Sequence, residues 1–328
     1  MDKQEKGGEG SMKALITGVT GFAGSYLAEY LLSKGCTVSG TYLTDNSLIN
    51  VATVKEKINL IKADLSLEKN VFDIVEKVSP MAIFHLAALT SPADSFKNPT
   101  ETLNNNISLQ VNLLEAVRKF NLLNTKILIV SSADIYGRVA KENLPINEET
   151  PLCPTNPYSV SKIAQDFLGL SYFLTYKLKT IRVRPFNHIG PRQSPKFSVS
   201  SFAKQIAEIE KGKKEAYLSV GNLQAKRDFT NVRDMVKAYV LAVEKGIDGE
   251  VYNIGSGVSH KMSDVLSQLI LMSTAKIEIR PDKTLFRPGD DPELICDNSK
   301  FKKLTGWKPR ISFSATLKET LDYWRNII

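Results

Sequence analysis

Residues 13–24 read KALITGVTGFAG, an apolar run from Lys13 to Thr17 that stops on Gly18, Gly21 and Gly24. The run predicts a strand, and a helix is expected from near Ser25. Glycines between a strand and a helix permit a tight turn and let backbone N–H groups approach a pyrophosphate, whose charge is favoured at a helix N-terminus. The stretch therefore sets the first βα unit of a dinucleotide-binding fold.

The pattern repeats outward from this unit. Apolar, β-rich runs at Thr37–Tyr42, Asn59–Ile61, Ala82–His85, Lys126–Ser131 and Thr180–Phe186 alternate with helical segments. That alternation predicts right-handed βαβ crossovers and an α/β fold, a Rossmann-type doubly wound parallel sheet. Two helices stand out: from about Leu103 to Phe120 with Ile107, Val111, Leu114 and Val117 on one side, and from Tyr158 to about Tyr176 with Ile163, Phe167 and Leu170. Both apolar sides are expected to be buried. A later run, Val251–Ile254, resembles the sheet strands, so the chain is expected to return to the first domain and leave again at Ser259. The predicted dinucleotide domain thus covers residues 12–186 and about 230–258. A smaller, discontinuous C-terminal substrate domain covers about 187–229 and 259–328. Residues 1–11 are polar and are expected to be a disordered leader.

Composition narrows the function. Hydrophobic residues make up 42% and charged residues 24% of the 328, the balance of a globular chain and not of a disordered or fibrous one. The net charge of +8 is uneven: −1 over residues 1–178 and +9 over residues 179–328. These cations are dispersed, apart from Lys213-Lys214 and Lys302-Lys303, which suits a small anionic ligand better than nucleic acid. No apolar run approaches the ~20 residues that span a bilayer, so no membrane association is expected. Cys36, Cys153 and Cys296 are scattered and form no CxxC pair, which fits a reducing cytoplasm. His85, His188 and His260 are equally dispersed, and no metal site is expected.

NPYSVSK, residues 156–162, predicts a helix capped by Asn156 with Pro157 at its first position. Tyr158 and Lys162, four apart, share one face of it. An ammonium near a phenol favours the phenolate and is expected to lower the tyrosine pKa toward the working range of a proton carrier. The strand Lys126–Ser131 runs into VSSADIYG, residues 130–137, which offers Ser132 as a second hydroxyl for the substrate oxygen that Tyr158 protonates or deprotonates. Ser132, Tyr158 and Lys162 are the expected catalytic set, with hydride passing to or from a nicotinamide. At the end of the second predicted strand, Thr41-Tyr42-Leu43 carries neither the acid that grips the ribose of NAD nor an Arg for a 2′-phosphate. The missing acid favours NADP(H), with NAD(H) as the alternative. Asp64 after the third strand either accepts from an adenine or caps the helix that follows.

From Met12 to about Tyr323 the chain resembles the extended short-chain dehydrogenases of the NAD-dependent epimerase/dehydratase family. The resemblance rests on TGVTGFAG (17–24), HLAA (85–88), SSADIYG (131–137), NPYSVSK, RPFNHIGP (184–191), KRDF (226–229) and LTGWKP (304–309). Within the family the segments are most similar to those of the GDP-4-keto-6-deoxy-D-mannose reductases, and the GDP-mannose 4,6-dehydratases share several of them. The resemblance implies a GDP-sugar substrate and a homodimer paired through the helices around Ile107 and Phe167. It implies cofactor contacts at Gly18, Thr20, Gly21, Phe22, Ala23, Gly24, Asp64, Leu65, Leu86, Ala87, Ala88, Tyr158, Lys162 and Pro185, with His85 on the nicotinamide side. It also implies substrate contacts at Thr90, Asp134, Asn187, Arg227 and Arg287, although RPGDD (287–291) departs from the family's usual segment.

A 4,6-dehydratase must remove a proton from C5 and lose water, which calls for a carboxylate beyond the tyrosine. Similar dehydratases place a Glu where this chain has Asp134, one methylene shorter, after Ala133. A 4-ketoreductase needs only a hydride and the proton that Tyr158 can give. The expected reaction is therefore reduction of a GDP-linked 4-keto-6-deoxy sugar, followed in rank by 4,6-dehydration and 4-epimerisation. A dinucleotide-sensing role without catalysis is the remaining alternative, and such proteins typically lose the Tyr/Lys pair that this chain keeps.

Overall fold

The structure, a computed structural model, describes residues 11–286 and 292–328. It opens with β1 (Lys13–Thr17), α1 (Phe22–Ser33), β2 (Thr37–Tyr42), β3 (Ile58–Lys62), α2 (Glu68–Val78) and β4 (Ala82–His85). Next come α3 (Pro92–Lys97), α4 (Pro99–Lys119), β5 (Lys126–Val130), α5 (Pro157–Tyr176) and β6 (Lys179–Pro185). The first helix begins at Phe22, three residues before the expected position, because Gly24 lets its first turn close on the loop: a Cβ there would lie 2.3 Å from the Gly18 carbonyl oxygen.

After β6 the chain forms β7 (Asn187–Ile189), α6 (Ser198–Glu210), β8 (Tyr217–Val220), β9 (Lys226–Asn231) and α7 (Val232–Lys245). It then returns as β10 (Val251–Ile254) and ends through β11 (Ser259–Lys261), α8 (Met262–Leu271), β12 (Glu278–Pro281), β13 (Glu293–Leu294), α9 (Ser299–Thr305) and α10 (Phe313–Ile327). Seven strands form one sheet in the order β10-β6-β5-β4-β1-β2-β3, and every pair is parallel. The crossovers reverse direction between β1 and β4. In open α/β sheets the crevice beyond the strand carboxyl ends at such a reversal is where ligands bind.

One face of the sheet buries a core with α1 and α7, including Ile16, Leu27, Val183 and Tyr239. The other buries Ile83, Leu113, Leu114 and Ile127 with α2 and α4. A third core, around Phe202, Leu218, Leu266 and Leu321, joins α6, α8 and α10. Phe301 and Trp307, expected in the second domain, pack in the first core instead. The short α9 folds back against β10, and the Trp307 indole donates to the Asp234 carbonyl at 3.1 Å.

Helix α5 departs most from its sequence pattern. Its cap is as expected: Asn156 Oδ1 accepts from the Ser159 N–H at 2.8 Å, with Pro157 at the first position. Its buried side, however, is polar, made of Tyr158, Ser159, Ser161, Lys162, Gln165, Asp166 and Gly169. Of the residues expected on the core side, Phe167 is 48% exposed, with Val160 and Leu174 on the same side at 44% and 57%, while Ile163 and Leu170 are partly covered. On α4, Leu114 and Val117 are buried as expected, while Ile107 and Val111 are only partly covered. The apolar stripe of α5 points outward because Asp166 is drawn inward: its Oδ1 lies 2.6 Å from Arg182 Nη1 and its Oδ2 2.9 Å from Arg184 Nε, both on β6.

Candidate active site

A cavity of about 760 Å³ lies over the carboxyl ends of the sheet, well within the range of small-molecule sites. Its wall brings together Gly18, Gly21, Phe22, Ala23, Gly24, Leu86, Ala88, Thr90, Ser132, Asp134, Tyr158, Lys162, Pro185, Asn187 and Arg227. These residues come from six segments of the chain. Thr20, Asp64, Leu65 and Ala87 stand off this wall, and Arg287 lies outside the described residues.

The reasons for the exceptions are local. The Thr20 hydroxyl is taken by Ser47 Oγ at 2.8 Å, and its carbonyl accepts from Asn50 Nδ2 at 2.9 Å. Asp64 Oδ1 accepts from the Ser66 N–H at 2.9 Å, closing the turn before α2, while its carboxylate remains exposed. Leu65 is buried in the core under α4. Ala87 donates its N–H to Thr17 Oγ1 at 3.1 Å.

The glycine turn fits an anionic diphosphate. Gly18 has φ +71°, and a Cβ on it would stand 3.1 Å from the Ala87 backbone. Gly21 caps α1 without a side chain, so the first-turn N–H groups of Phe22, Ala23 and Gly24, which have no intrahelical partner, face the cavity.

At the other end, Ser132 follows β5 and its Oγ accepts from the Asp134 N–H at 3.1 Å, fixing a tight 3₁₀ turn over Ala133–Tyr136. The same hydroxyl hydrogen-bonds the Tyr158 phenol. Burial holds that phenol above its ordinary pKa, the Asp134 charge adds to the rise and the Ser132 bond opposes it. This corrects the expectation of a Tyr158 lowered by Lys162. Burial pushes the Lys162 amine down to about 7. Its Nζ donates to the Val130 carbonyl at 2.9 Å and to Gln165 Oε1 at 2.8 Å, and it lies 5.9 Å from the Tyr158 ring centroid.

Beside the amine, burial pushes His85 down to about 3, and the Lys162 charge adds to this, so the ring is neutral. One ring nitrogen lies 2.9 Å from Thr17 Oγ1. Lys97, Lys162, Lys196 and Arg227 give the cavity several cationic groups, and Asp134 is the only carboxylate among the described residues that line it. The Arg227 guanidinium donates to the Lys226 carbonyl at 2.8 Å. Asp228 beside it accepts from the N–H groups of Ser256, Gly257 and Cys296 at 2.8, 2.8 and 3.1 Å.

Sequence reasoning missed several wall residues: Lys97, Lys196, Tyr239 and His188, whose ring stacks on Phe22 at 5.7 Å. It also missed Gln165, although a residue three beyond Lys162 on a helix shares its face.

A seven-stranded parallel sheet with this Ser-Tyr-Lys arrangement at its carboxyl edge defines an enzyme of the extended short-chain dehydrogenase/reductase class. More narrowly, residues 15–320 match the family model described as GDP-mannose 4,6 dehydratase, and the chain belongs to that family of nucleotide-sugar enzymes. It is 32% identical to the GDP-6-deoxy-D-mannose reductase of Pseudomonas aeruginosa, over 96% of this chain and 98% of the relative. It is 29% identical to human GDP-mannose 4,6 dehydratase, over 93% and 89%. Among solved structures, Pseudomonas aeruginosa RMD complexed with NADPH aligns with a TM-score of 0.83 at 31% identity, covering 96% of this chain and all of that one. UDP-glucose 4-epimerase of Thermus thermophilus, complexed with NAD, aligns with a TM-score of 0.85 at 27% identity, over 97% and 100%.

Proposed function

We propose that this enzyme is a 4-ketoreductase that uses NADPH to reduce a GDP-linked 4-keto-6-deoxy-mannose to the 4-hydroxy sugar. The observation that supports the reading is the make-up of the wall: Ser132, Tyr158 and Lys162 line it and suffice to protonate a ketone, while its one carboxylate among the described residues, Asp134, is a methylene shorter than the Glu of similar dehydratases.

The reduced dinucleotide, when bound, supplies a hydride to the carbonyl carbon. Gly18, Gly21 and the first turn of α1 take the diphosphate, and Pro185, Leu86 and Ala88 flank the nicotinamide. Ser132 and Tyr158 hydrogen-bond the ketone oxygen, and Tyr158 gives it a proton as the carbonyl carbon becomes tetrahedral. Lys162 holds the ribose hydroxyls. Asn187 and Thr90 orient the sugar, and Arg227, with Lys97 and Lys196, balances the substrate diphosphate. The end of β2, Tyr42 followed by Leu43, has no carboxylate to repel a 2′-phosphate, and the relative solved with NADPH supports the same preference. Residues 12–186 with about 230–258 would then bind the cofactor, and 187–229 with most of 259–328 the sugar nucleotide.

Dehydration of GDP-mannose is the second reading, because the family model and several relatives carry that name. It requires an acid/base carboxylate, and Asp134 is the only candidate on the described wall. Its side chain is one methylene shorter than Glu, and a misplacement of about 1 Å can cost on the order of 10²-fold in rate. Incubation with NADPH and GDP-4-keto-6-deoxy-D-mannose decides: no NADPH oxidation would rule out the reductase, and water loss from GDP-mannose without added reductant would establish the dehydratase. Asp134→Asn should change the reductase kcat by less than about threefold at pH 7, since the phenol it leaves is still protonated. A loss of 10²-fold would assign the carboxylate an acid/base role.

We also propose a homodimer. Val160, Phe167 and Leu174 are seven apart, which lines them up along α5, and each is at least 44% exposed. An apolar stripe with heptad spacing suits antiparallel packing against its own copy. Sedimentation velocity should show a dimer for the parent and a monomer for Phe167→Asp; a monomeric parent would refute the proposal.

A further inference from the structure

Lys162 is 4% exposed, and burial is what pushes its amine down, with no carboxylate close enough to offset it. The nearest acid on its helix, Asp166, is turned away into Arg182 and Arg184. The titratable groups that face the amine are Tyr158 on α5 and the neutral His85 on β4, with Asp134 and the buried Tyr239 of α7 beyond Tyr158. A buried ammonium in such surroundings depends on neutral oxygen dipoles to remain charged. It has two: the Val130 carbonyl at 2.9 Å and Gln165 Oε1 at 2.8 Å.

The Gln165 amide has one orientation open to it. Its Nε2 donates to the Asn106 carbonyl at 2.8 Å, an oxygen that only the NH₂ end can satisfy, so Oε1 must face Lys162. Asn106 is itself anchored: its Oδ1 accepts from the Leu89 N–H at 2.8 Å, and its Nδ2 donates to the Leu89 carbonyl at 3.0 Å and to Ser161 Oγ at 2.9 Å. Gln165 is 1% exposed and Asn106 fully buried. The chain of contacts thus runs from the loop after β4, through α4, to the amine on α5.

We infer that Gln165 is a positioning residue of the active site: its amide oxygen, fixed by Asn106, keeps the buried Lys162 amine protonated and aimed at the catalytic groups. The inference rests on the Tyr158–Lys162 assignment above. It makes the charge of Lys162 a property of a neighbouring neutral side chain rather than of a counter-ion.

The test follows the lysine ¹³Cε resonance of Lys162 across pH in the free protein, alongside the pH profile of kcat. In Gln165→Met, which keeps the shape and loses the acceptor, the Lys162 midpoint should fall by about one pH unit, a tenfold change in its protonation constant. In Gln165→Glu, which supplies a carboxylate in the same place, it should rise by at least as much. Because the ammonium is the working form, activity is lost as pH rises through that midpoint, so the alkaline limb should move down for Met and up for Glu. Opposite shifts of the resonance in a protein that oxidises no NADPH would support the role of Gln165 and sink the ketoreductase. An active parent whose two variants titrate like it would overturn the inference.

Discussion

Tyr158→Phe should lower kcat for NADPH-dependent ketone reduction by on the order of 10³-fold, within the range that a positioned proton donor contributes. The phenol is the group that hydrogen-bonds Ser132 and stands over the cavity, and phenylalanine retains the ring without the proton. The dissociation constant of NADPH, read by fluorescence titration, should stay within about twofold, because the glycine turn, α1 and Lys162 are untouched. Single-turnover absorbance at the dihydronicotinamide band separates the two quantities. Turnover at the parent rate would refute the assignment of Tyr158, and lost binding would show that its hydroxyl serves the cofactor site and not the proton transfer alone.

Asp166→Leu should cost about 3–5 kcal/mol of stability, the usual consequence of removing one partner from a buried charge network. Asp166 is wholly buried between Arg182 and Arg184, and Arg184 Nη1 continues to the Tyr136 hydroxyl at 2.9 Å, which donates to Asn253 Oδ1 at 2.7 Å. Without the carboxylate two guanidiniums remain in the interior uncompensated. Urea denaturation followed by far-UV circular dichroism should show a large fall in the midpoint. Adding Arg182→Met and Arg184→Met to the same variant should recover much of the loss, since the unpaired charge, more than the missing attraction, is what destabilises. Coincident transitions for parent and Asp166→Leu would contradict the network's role.

Much of this architecture is legible in the sequence, for a physical reason. Strands of a parallel sheet are covered on both faces and so read as short runs rich in apolar and β-branched residues; Ala82–His85 and Val251–Ile254 match their elements residue for residue, as does Thr37–Tyr42, which is marked by its Thr, Val and Tyr more than by apolar content. The grouping of Ser132, Tyr158 and Lys162 on one cavity wall is legible because spacing along a helix and position at a strand end dictate where these side chains point. Periodicity fails on α5, since it reports which side is apolar and not which side is inside. There the Asp166–Arg182–Arg184 cluster and the Lys162–Gln165–Asn106 contacts draw the polar side inward. A second sheet, in which β9 pairs with β7, β11 and β13, escaped notice for another reason: β7, β11 and β13 are two or three residues long, too short to show any alternation. The rise in the Tyr158 pKa depends on burial and on Asp134, which only the folded arrangement supplies.

The late return of β10 to the sheet bears on synthesis. Strand β6 ends at Pro185, but its outer neighbour is not made until Val251–Ile254. At about 5–20 residues per second, a ribosome leaves β6 as an open edge for several seconds, the situation in which nascent chains pair with one another. Arg182 and Arg184, whose guanidiniums meet Asp166, sit on that strand. Charged side chains on an exposed edge disfavour intermolecular pairing, so the two arginines that hold Asp166 in the finished fold also suit the interval in which β6 has no outer neighbour.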